Sequence, residues 1–278
     1  MSINLGVMLN TLIYRNSYVI DMGKTLFGLE NERQRIKKAI EFMWDTTNHK
    51  KRNFLQIQPT LLLTGPPGTG KTTLITALAA EYESLYHEEG FFFIRTNLNN
   101  LLSHNLGQSS KNLSAFFEDI RSKASGGKRV LVHLDDAESA FSSRLGGSES
   151  KGIFRFVTTA LEEFDNLFKH EFEMSPVIVL STNSGEVLDP AIKRRFTNRW
   201  PINPQLTDKD IQLMCKEYLG IKVNEYDSLV QNMCNLPRES ATPHTFCRVL
   251  EATIVQQLTV EEAITLLESE LRQIIKPK

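Results

Sequence analysis

Cysteine is scarce in this sequence: Cys215, Cys234 and Cys247 are the only three among 278 residues. An odd count with no C-x-x-C spacing excludes a disulfide scaffold and a thiolate zinc site. It reads instead as small buried apolar side chains in a reducing compartment, hence a cytoplasmic protein. An excess of one charge is also missing. Thirty-two Lys and Arg face 33 Asp and Glu, for a net charge of −1, so sequence-wide attraction to nucleic acid is not expected. No apolar run approaches the ~18 residues of a membrane-spanning helix, so no membrane partner is expected. The first 20 residues are fairly apolar, but they have neither a basic start nor a cleavage-site pattern. Residues 1–26 are therefore expected to be a short extension packed on the body or on a neighbouring subunit. Repeats and low-complexity tracts are lacking too.

What is present is concentrated. Gly65 to Thr72 read G-P-P-G-T-G-K-T, directly after the apolar run Leu61-Leu62-Leu63-Thr64. This is a Walker A phosphate loop in the expected context, with a strand entering and a helix leaving. Its glycines let consecutive N–H groups turn inward around an anion, and the helix N-terminus adds partial positive charge. Pro67, Gly68, Thr69, Gly70, Lys71, Thr72 and Thr73 are the expected phosphate-binding residues. Lys71 supplies a point charge to the β- and γ-phosphates, and the Thr72 hydroxyl is an expected ligand of Mg²⁺.

Five apolar runs fit short buried strands: 61–64, 91–96, 130–134, 177–181 and a weaker 198–202. Helical patterns separate them; the longest carries Ile153, Phe156, Val157, Ala160, Leu161, Phe164, Leu167 and Phe168 at i, i+3, i+4, i+7 spacing. Such alternation predicts an α/β domain with a five-stranded parallel sheet over residues 27–204. After Pro204 strand patterns vanish. Thr207-x-x-Asp210 and Thr259-x-x-Glu262 read as capping boxes, and Pro243 suits a first helical turn. Residues 205–278 are thus expected to form a small helical domain.

The remaining chemistry sits at strand ends. Val130-Leu-Val-His-Leu134 runs into Asp135-Asp136, a Walker B arrangement. Asp135 is placed to hold Mg²⁺, directly or through water, and Asp136 to polarise the attacking water. Glu138, three residues beyond Asp135, could stand in for either acid but reads first as structural. Asn183 closes Val177-Ile-Val-Leu-Ser-Thr-Asn183 and is placed to orient the water and the γ-phosphate. Arg194 and Arg195 end Leu188-Asp-Pro-Ala-Ile-Lys-Arg-Arg-Phe196, where the planar guanidinium suits an arginine finger. A finger acting in trans requires an oligomer.

Together these motifs resemble an AAA+ ATPase of the substrate-remodelling kind over about residues 25–275. Within that class, Asp135-Asp-Ala-Glu-Ser139 with Ser143-Arg144, the helix Ile153–Asp165, and Leu102–Lys111 are similar to the pachytene-checkpoint remodellers. The resemblance implies the AAA+ fold with its helical lid, ATP and Mg²⁺ as cofactors, and action as a homo-oligomeric ring, a hexamer in family members. It also implies a protein substrate, for the family a HORMA-domain protein, with bacterial relatives serving anti-phage signalling. By the same resemblance Gly28 and Leu29 run past the adenine, Asn105 and Leu106 lie in the substrate pore loop, and His244 stands where a lid arginine touches nucleotide.

Departures from the family pattern sharpen the expectations. The family has Glu where this chain has Asp136, one methylene shorter, so slow hydrolysis is expected. Asn105 replaces the usual pore aromatic, which shifts peptide contact to Leu106. His244 is a weaker cation than arginine near neutral pH, and it reads equally as a surface histidine on a capped helix. The segment before Gly28 is shorter than the substrate-binding domain of eukaryotic members. Two alternatives stay open: a nucleotide-gated binding module with negligible hydrolysis, and a nucleic-acid loader of the AAA+ type.

Overall fold

A computed structural model describes residues 12–14, 26–102, 107–142, 150–170, 172–236 and 241–275. These divide into two compact units. The first holds the described parts of Met1–Lys24, Arg33–Gly65 and Lys71–Pro201. The second holds Ile202–Lys278, together with Thr25–Glu32 and the middle of the phosphate loop, Pro66–Gly70.

The first unit is built on a sheet. Its strands in chain order are β1 (Leu12–Tyr14), β2 (Thr60–Thr64), β3 (Phe91–Asn97), β4 (Arg129–Asp135), β5 (Val177–Thr182) and β6 (Asn198–Pro201). The spatial order is β1-β3-β4-β5-β2-β6. The five strands expected from the sequence, β2 to β6, are all parallel. The central ones are nearly continuous apolar runs because helices flank the sheet. The sequence reading missed β1, which pairs antiparallel with β3, Ile13 opposite Ile94.

Register decides where the chemistry lies. Thr64 pairs with Thr182, Leu134 with Leu180, and Asn97 with Asp135. The carboxyl ends of β2, β3, β4 and β5 therefore line up along one edge, the edge at which parallel α/β sheets bind ligands.

The helices of this unit are α1 (Glu30–Trp44), α2 (His49–Phe54), α3 (Lys71–Tyr86), α4 (Gln108–Ala124), α5 (Glu138–Phe141), α6 (Ser150–Lys169) and α7 (Pro190–Arg195). The apolar stripe read along α6 is the face that enters the core, with Phe156, Val157, Ala160, Phe164 and Leu167 buried. Phe164 meets Phe117 of α4 and Phe196 edge to face, at centroid distances of 5.2 and 5.3 Å. Opposite, Ile36, Ile40, Met43 and Trp44 of α1 are buried, and Trp44 meets Tyr82 of α3 edge-on at 4.8 Å.

The second unit contains α8 (Asp208–Leu219), α9 (Asp227–Asn235), α10 (Pro243–Val255) and α11 (Val260–Ile275). Ile211, Met214, Leu229, Met233, Phe246, Val249, Leu250 and Leu267 form its core, joined by Phe27 and Leu206. Cys215 is buried there, and burial pushes its thiol up to about 12. All three cysteines are free thiols. Both expected capping boxes form. Thr207 Oγ1 accepts from the Asp210 N–H at 3.2 Å, while the Asp210 carboxylate accepts from the Thr207 N–H at 2.8 Å. Thr259 and Glu262 repeat the exchange. No helix among the described residues is long and apolar enough to cross a membrane.

Candidate functional site

The sheet edge gathers Lys71, Thr72, Asp135, Asp136, Glu138 and Asn183. Lys71 opens α3 and is buried to 8% exposure. Its Nζ donates to Gly65 O at 2.7 Å and to Asn183 Oδ1 at 3.0 Å. Burial lowers its pKa, opposed by Glu138, Asp135 and Asp136. The ammonium is thus fixed between the end of β2 and Asn183, within the influence of three carboxylates.

Asp135 is the most constrained acid. Its Oδ2 accepts from Thr72 Oγ1 at 3.0 Å and pairs with Arg95 of β3 at 3.0 Å. Its Oδ1 accepts from Ser181 Oγ at 2.5 Å. Burial acts to raise its pKa, but His133, Ser181, Thr72 and Arg95 prevail and hold it at about 2. Ser181 spends its proton on the carboxylate, so its oxygen must accept from His133 Nε2 at 3.0 Å. This fixes His133 as the Nε2–H tautomer. Its Nδ1 is buried with no hydrogen-bond partner among the described residues. Burial pushes His133 down to about 4. Near neutral pH it therefore supports Asp135 through Ser181 as a donor, not as a charge.

Asp136 sits at φ 63°, in the left-handed region, which Asp tolerates better than most residues. Its Oδ2 accepts from Asn97 Nδ2 at 3.3 Å. Glu138, read from sequence as structural, grips Asn183. It accepts from the Asn183 Nδ2 at 2.7 Å and from the Asn183 N–H at 3.1 Å. Burial opposes ionisation of Glu138, yet hydrogen bonds from Thr182 and Asn183 keep it below the usual carboxylate range. The Asn183 amide is thereby oriented, Nδ2 to Glu138 and Oδ1 to Lys71.

Arg194 and Arg195 end α7. Arg194 is exposed. Arg195 is held in a two-point pair with Asp165 of α6, Nε to Oδ1 at 2.8 Å and Nη2 to Oδ2 at 2.7 Å. Hydrogen bonds from Arg195 hold the Asp165 carboxyl below its ordinary value.

Within the second unit the loop segment Pro66–Gly70 meets the other residues singled out for nucleotide. Gly68 and Gly70 have φ of 78° and 86°. A Cβ on Gly68 would come within 2.9 Å of His244 Cβ and 3.0 Å of Thr242 Oγ1, and one on Gly70 within 2.8 Å of Leu29 Cδ1. Gly28 O accepts from the Gln205 N–H at 3.2 Å. Thr69 Oγ1 donates to Pro66 O at 2.9 Å, while Pro67 and Thr73 are exposed. Gly28, Leu29, the loop and His244 thus share one compact body. Asn105 and Leu106 lie outside the described residues.

The donor set suits a nucleotide with a divalent cation. Thr72 and Asp135 bring two hard oxygens together, the ligand type Mg²⁺ takes when it keeps several waters. No cluster of three or more His, Cys, Asp or Glu that would hold a softer metal occurs among the described residues. A lysine behind a positive-φ glycine loop, followed by a threonine and facing a strand-end aspartate, defines a P-loop nucleotide-binding protein.

Comparison with known proteins narrows the class. The model of the ATPase family associated with various cellular activities (AAA) matches residues 61–204, and the chain belongs to that family. A ring-forming AAA ATPase of Corynebacterium jeikeium (strain K411) is 30% identical over 167 residues, 60% of this chain and 31% of the relative. A proteasome-associated ATPase of Nocardioides sp. (strain ATCC BAA-499 / JS614) is 29% identical over 176 residues, 62% of this chain and 30% of the relative. The match thus spans about a third of these longer proteins. Among solved structures, a chain in the E. coli MS115-1 HORMA:CdnC:Trip13 complex superposes with a TM-score of 0.75 at 17% identity, over 96% of this chain and 95% of that one. The fold is therefore AAA+ along nearly the whole sequence.

Proposed function

We propose that this protein is an ATP-driven remodeller of a protein substrate that works as a homo-oligomeric ring, a hexamer by family resemblance, in the cytoplasm. The observation that carries the reading is the convergence of Lys71, Thr72, Asp135 and Asn183 on one sheet edge. Ring formation by curated relatives supports the oligomer. The fold likeness to a chain of a HORMA-containing complex supports a HORMA-domain partner and a place in anti-phage signalling.

In this reading Lys71 and the N–H groups of Gly68–Thr73 bind the phosphates, with Pro67 shaping the loop, and Gly28, Leu29 and His244 line the nucleotide. Thr72 and Asp135 would hold Mg²⁺, which supplies charge neutralisation on the β- and γ-oxygens. Asp136 takes the proton of the attacking water, and Asn183 orients that water. Arg194 and Arg195 serve the site of a neighbouring subunit, and the Asn105–Leu106 segment contacts substrate in the pore. Asp136 is short for its task, so hydrolysis is slow.

Light scattering with and without ATP, read beside phosphate release, tests this. Assembly with ATP is expected, with loss of nucleotide binding in Lys71→Ala and loss of turnover but not of binding in Arg194→Ala. A chain that remains monomeric with ATP, with turnover indifferent to Arg194→Ala, would sink the ring.

A further inference from the structure

β3 ends in Arg95-Thr96-Asn97. Alternation along the strand places Arg95 and Asn97 on one face and Thr96, 2% exposed, on the other. In register Arg95 stands opposite His133 of β4, and Asn97 opposite Asp135. Arg95 is thus diagonal to Asp135, and its Nη2 donates to Asp135 Oδ2 at 3.0 Å. A guanidinium at this point runs against the chemistry of the site. The carboxylate it holds is the one suited to Mg²⁺, and two cations on one oxygen repel each other.

The Asp135 carboxylate is also full. An ionised carboxylate offers about four lone-pair sites, and four donors use them. Oδ1 accepts from Ser181 Oγ at 2.5 Å and from the Asp136 N–H at 3.2 Å. Oδ2 accepts from Thr72 Oγ1 and from Arg95 Nη2, each at 3.0 Å. A metal ion, or a water that it holds, therefore reaches this carboxylate only by displacing a donor.

Three of the four are poorly placed to leave. The Asp136 N–H is backbone. Ser181 is 1% exposed, and its oxygen is engaged with His133. Thr72 is itself an expected Mg²⁺ ligand, and its oxygen can serve the metal while its proton stays on Asp135. Arg95 differs from all three. Its side chain is 26% exposed on a long stem, and its guanidinium makes one hydrogen bond among the described residues. A pair as exposed as this one is held weakly and exchanges readily.

We propose that Arg95 is a resident cation at the Mg²⁺ seat, which neutralises Asp135 when the metal is away and withdraws when Asp135 takes the metal. The inference rests on the reading of Thr72 and Asp135 as the residues that hold Mg²⁺. Arg95 is a positioning residue with two opposed effects. Without Mg²⁺ it keeps a bare carboxylate from repelling the incoming phosphates, so nucleotide binds ahead of its metal. With Mg²⁺ it competes, so the metal is held less tightly than the oxygen ligands alone would hold it.

Binding of a fluorescent, ribose-labelled ADP to the full chain, in EDTA and at rising free Mg²⁺, tests both effects without recourse to turnover. Arg95→Met keeps the stem and removes the charge. It is expected to bind ADP about two- to fivefold more weakly in EDTA, and to reach half of the Mg²⁺ effect at about two- to fivefold less Mg²⁺. Arg95→Lys keeps the charge and is expected to return both values toward those of the unaltered chain. Far-UV circular dichroism and melting check that each variant is folded, and Arg95→Gln is read in the same way if Arg95→Met does not fold. A variant without the charge that needs the same Mg²⁺, or more, overturns the proposal alone. A need for more makes Arg95 a prop that holds Asp135 ready for the metal. If ADP affinity of the unaltered chain does not depend on Mg²⁺, the assignment of Thr72 and Asp135 to the metal fails and takes this proposal with it.

Discussion

At Asp136 the proposed limit on rate comes down to one methylene. Its φ of 63° and its contact with Asn97 leave the carboxylate on a short arm in a backbone state that favours Asp over Glu. Asp136→Glu is therefore expected to raise turnover by about ten- to a hundredfold while lowering stability by about 1 kcal/mol. Phosphate release and a melting curve read the two effects separately. Unaltered turnover would show that arm length does not set the rate. Behind Asp135, Ser181→Ala takes away the 2.5 Å donor and strands the His133 Nε2–H in the core. The expected cost is about 1–3 kcal/mol of stability, with Mg²⁺ affinity of the ADP complex weakened about tenfold or more, as for other groups that orient a metal ligand. A Mg²⁺ titration at fixed ADP measures it. The motif residues were legible because each loop or strand end needs a particular residue type. The supporting ones were not. Arg95 and Ser181 reach Asp135 from neighbouring strands, and only register brings them there. His133 alone carried a signal, as a histidine inside an otherwise apolar strand.

Among the elements, the starts of α8 and α11 were plain because a capping box is a local exchange, complete within four residues, whereas α9 begins without a side-chain cap and gave no such signal. Thr207→Ala removes one half of such a box and is expected to cost about 1 kcal/mol, readable by urea denaturation. Strands β2 to β5 were equally legible as apolar runs, and β6, Asn-Arg-Trp-Pro, less so. β1 was not, since three residues added to a sheet edge show no period of their own. The pairing of α6 with α7 through Asp165 and Arg195 was hidden for a similar reason. Thirty residues separate the partners, and no spacing rule links them. That pair has a pH signature. Asp165 ionises more readily in the folded chain. Its contribution is complete above the unfolded Asp value of about 4 and is lost as pH falls through the lower folded value. Both partners are partly exposed, at 25% and 41%, so the contribution is small, about 0.2–1 kcal/mol. The stability gap between the protein and Asp165→Asn is expected at pH 7 and should begin to narrow as pH falls below about 4. A gap that does not narrow on acidification would assign the effect to packing.

For the whole molecule, the arginine pair has a further consequence. If Arg195 serves a neighbour's γ-phosphate, it must first leave Asp165, so each interface begins from a pre-equilibrium. At about 0.2–1 kcal/mol, the guanidinium is unlatched in roughly 15–40% of subunits. That fraction sets a ceiling: Asp165→Asn can accelerate turnover per assembled subunit by no more than roughly two- to sixfold. Salt shifts the same fraction upward by screening the pair. A subunit would thus become a better neighbour as the ionic strength rises, until the interface itself loosens.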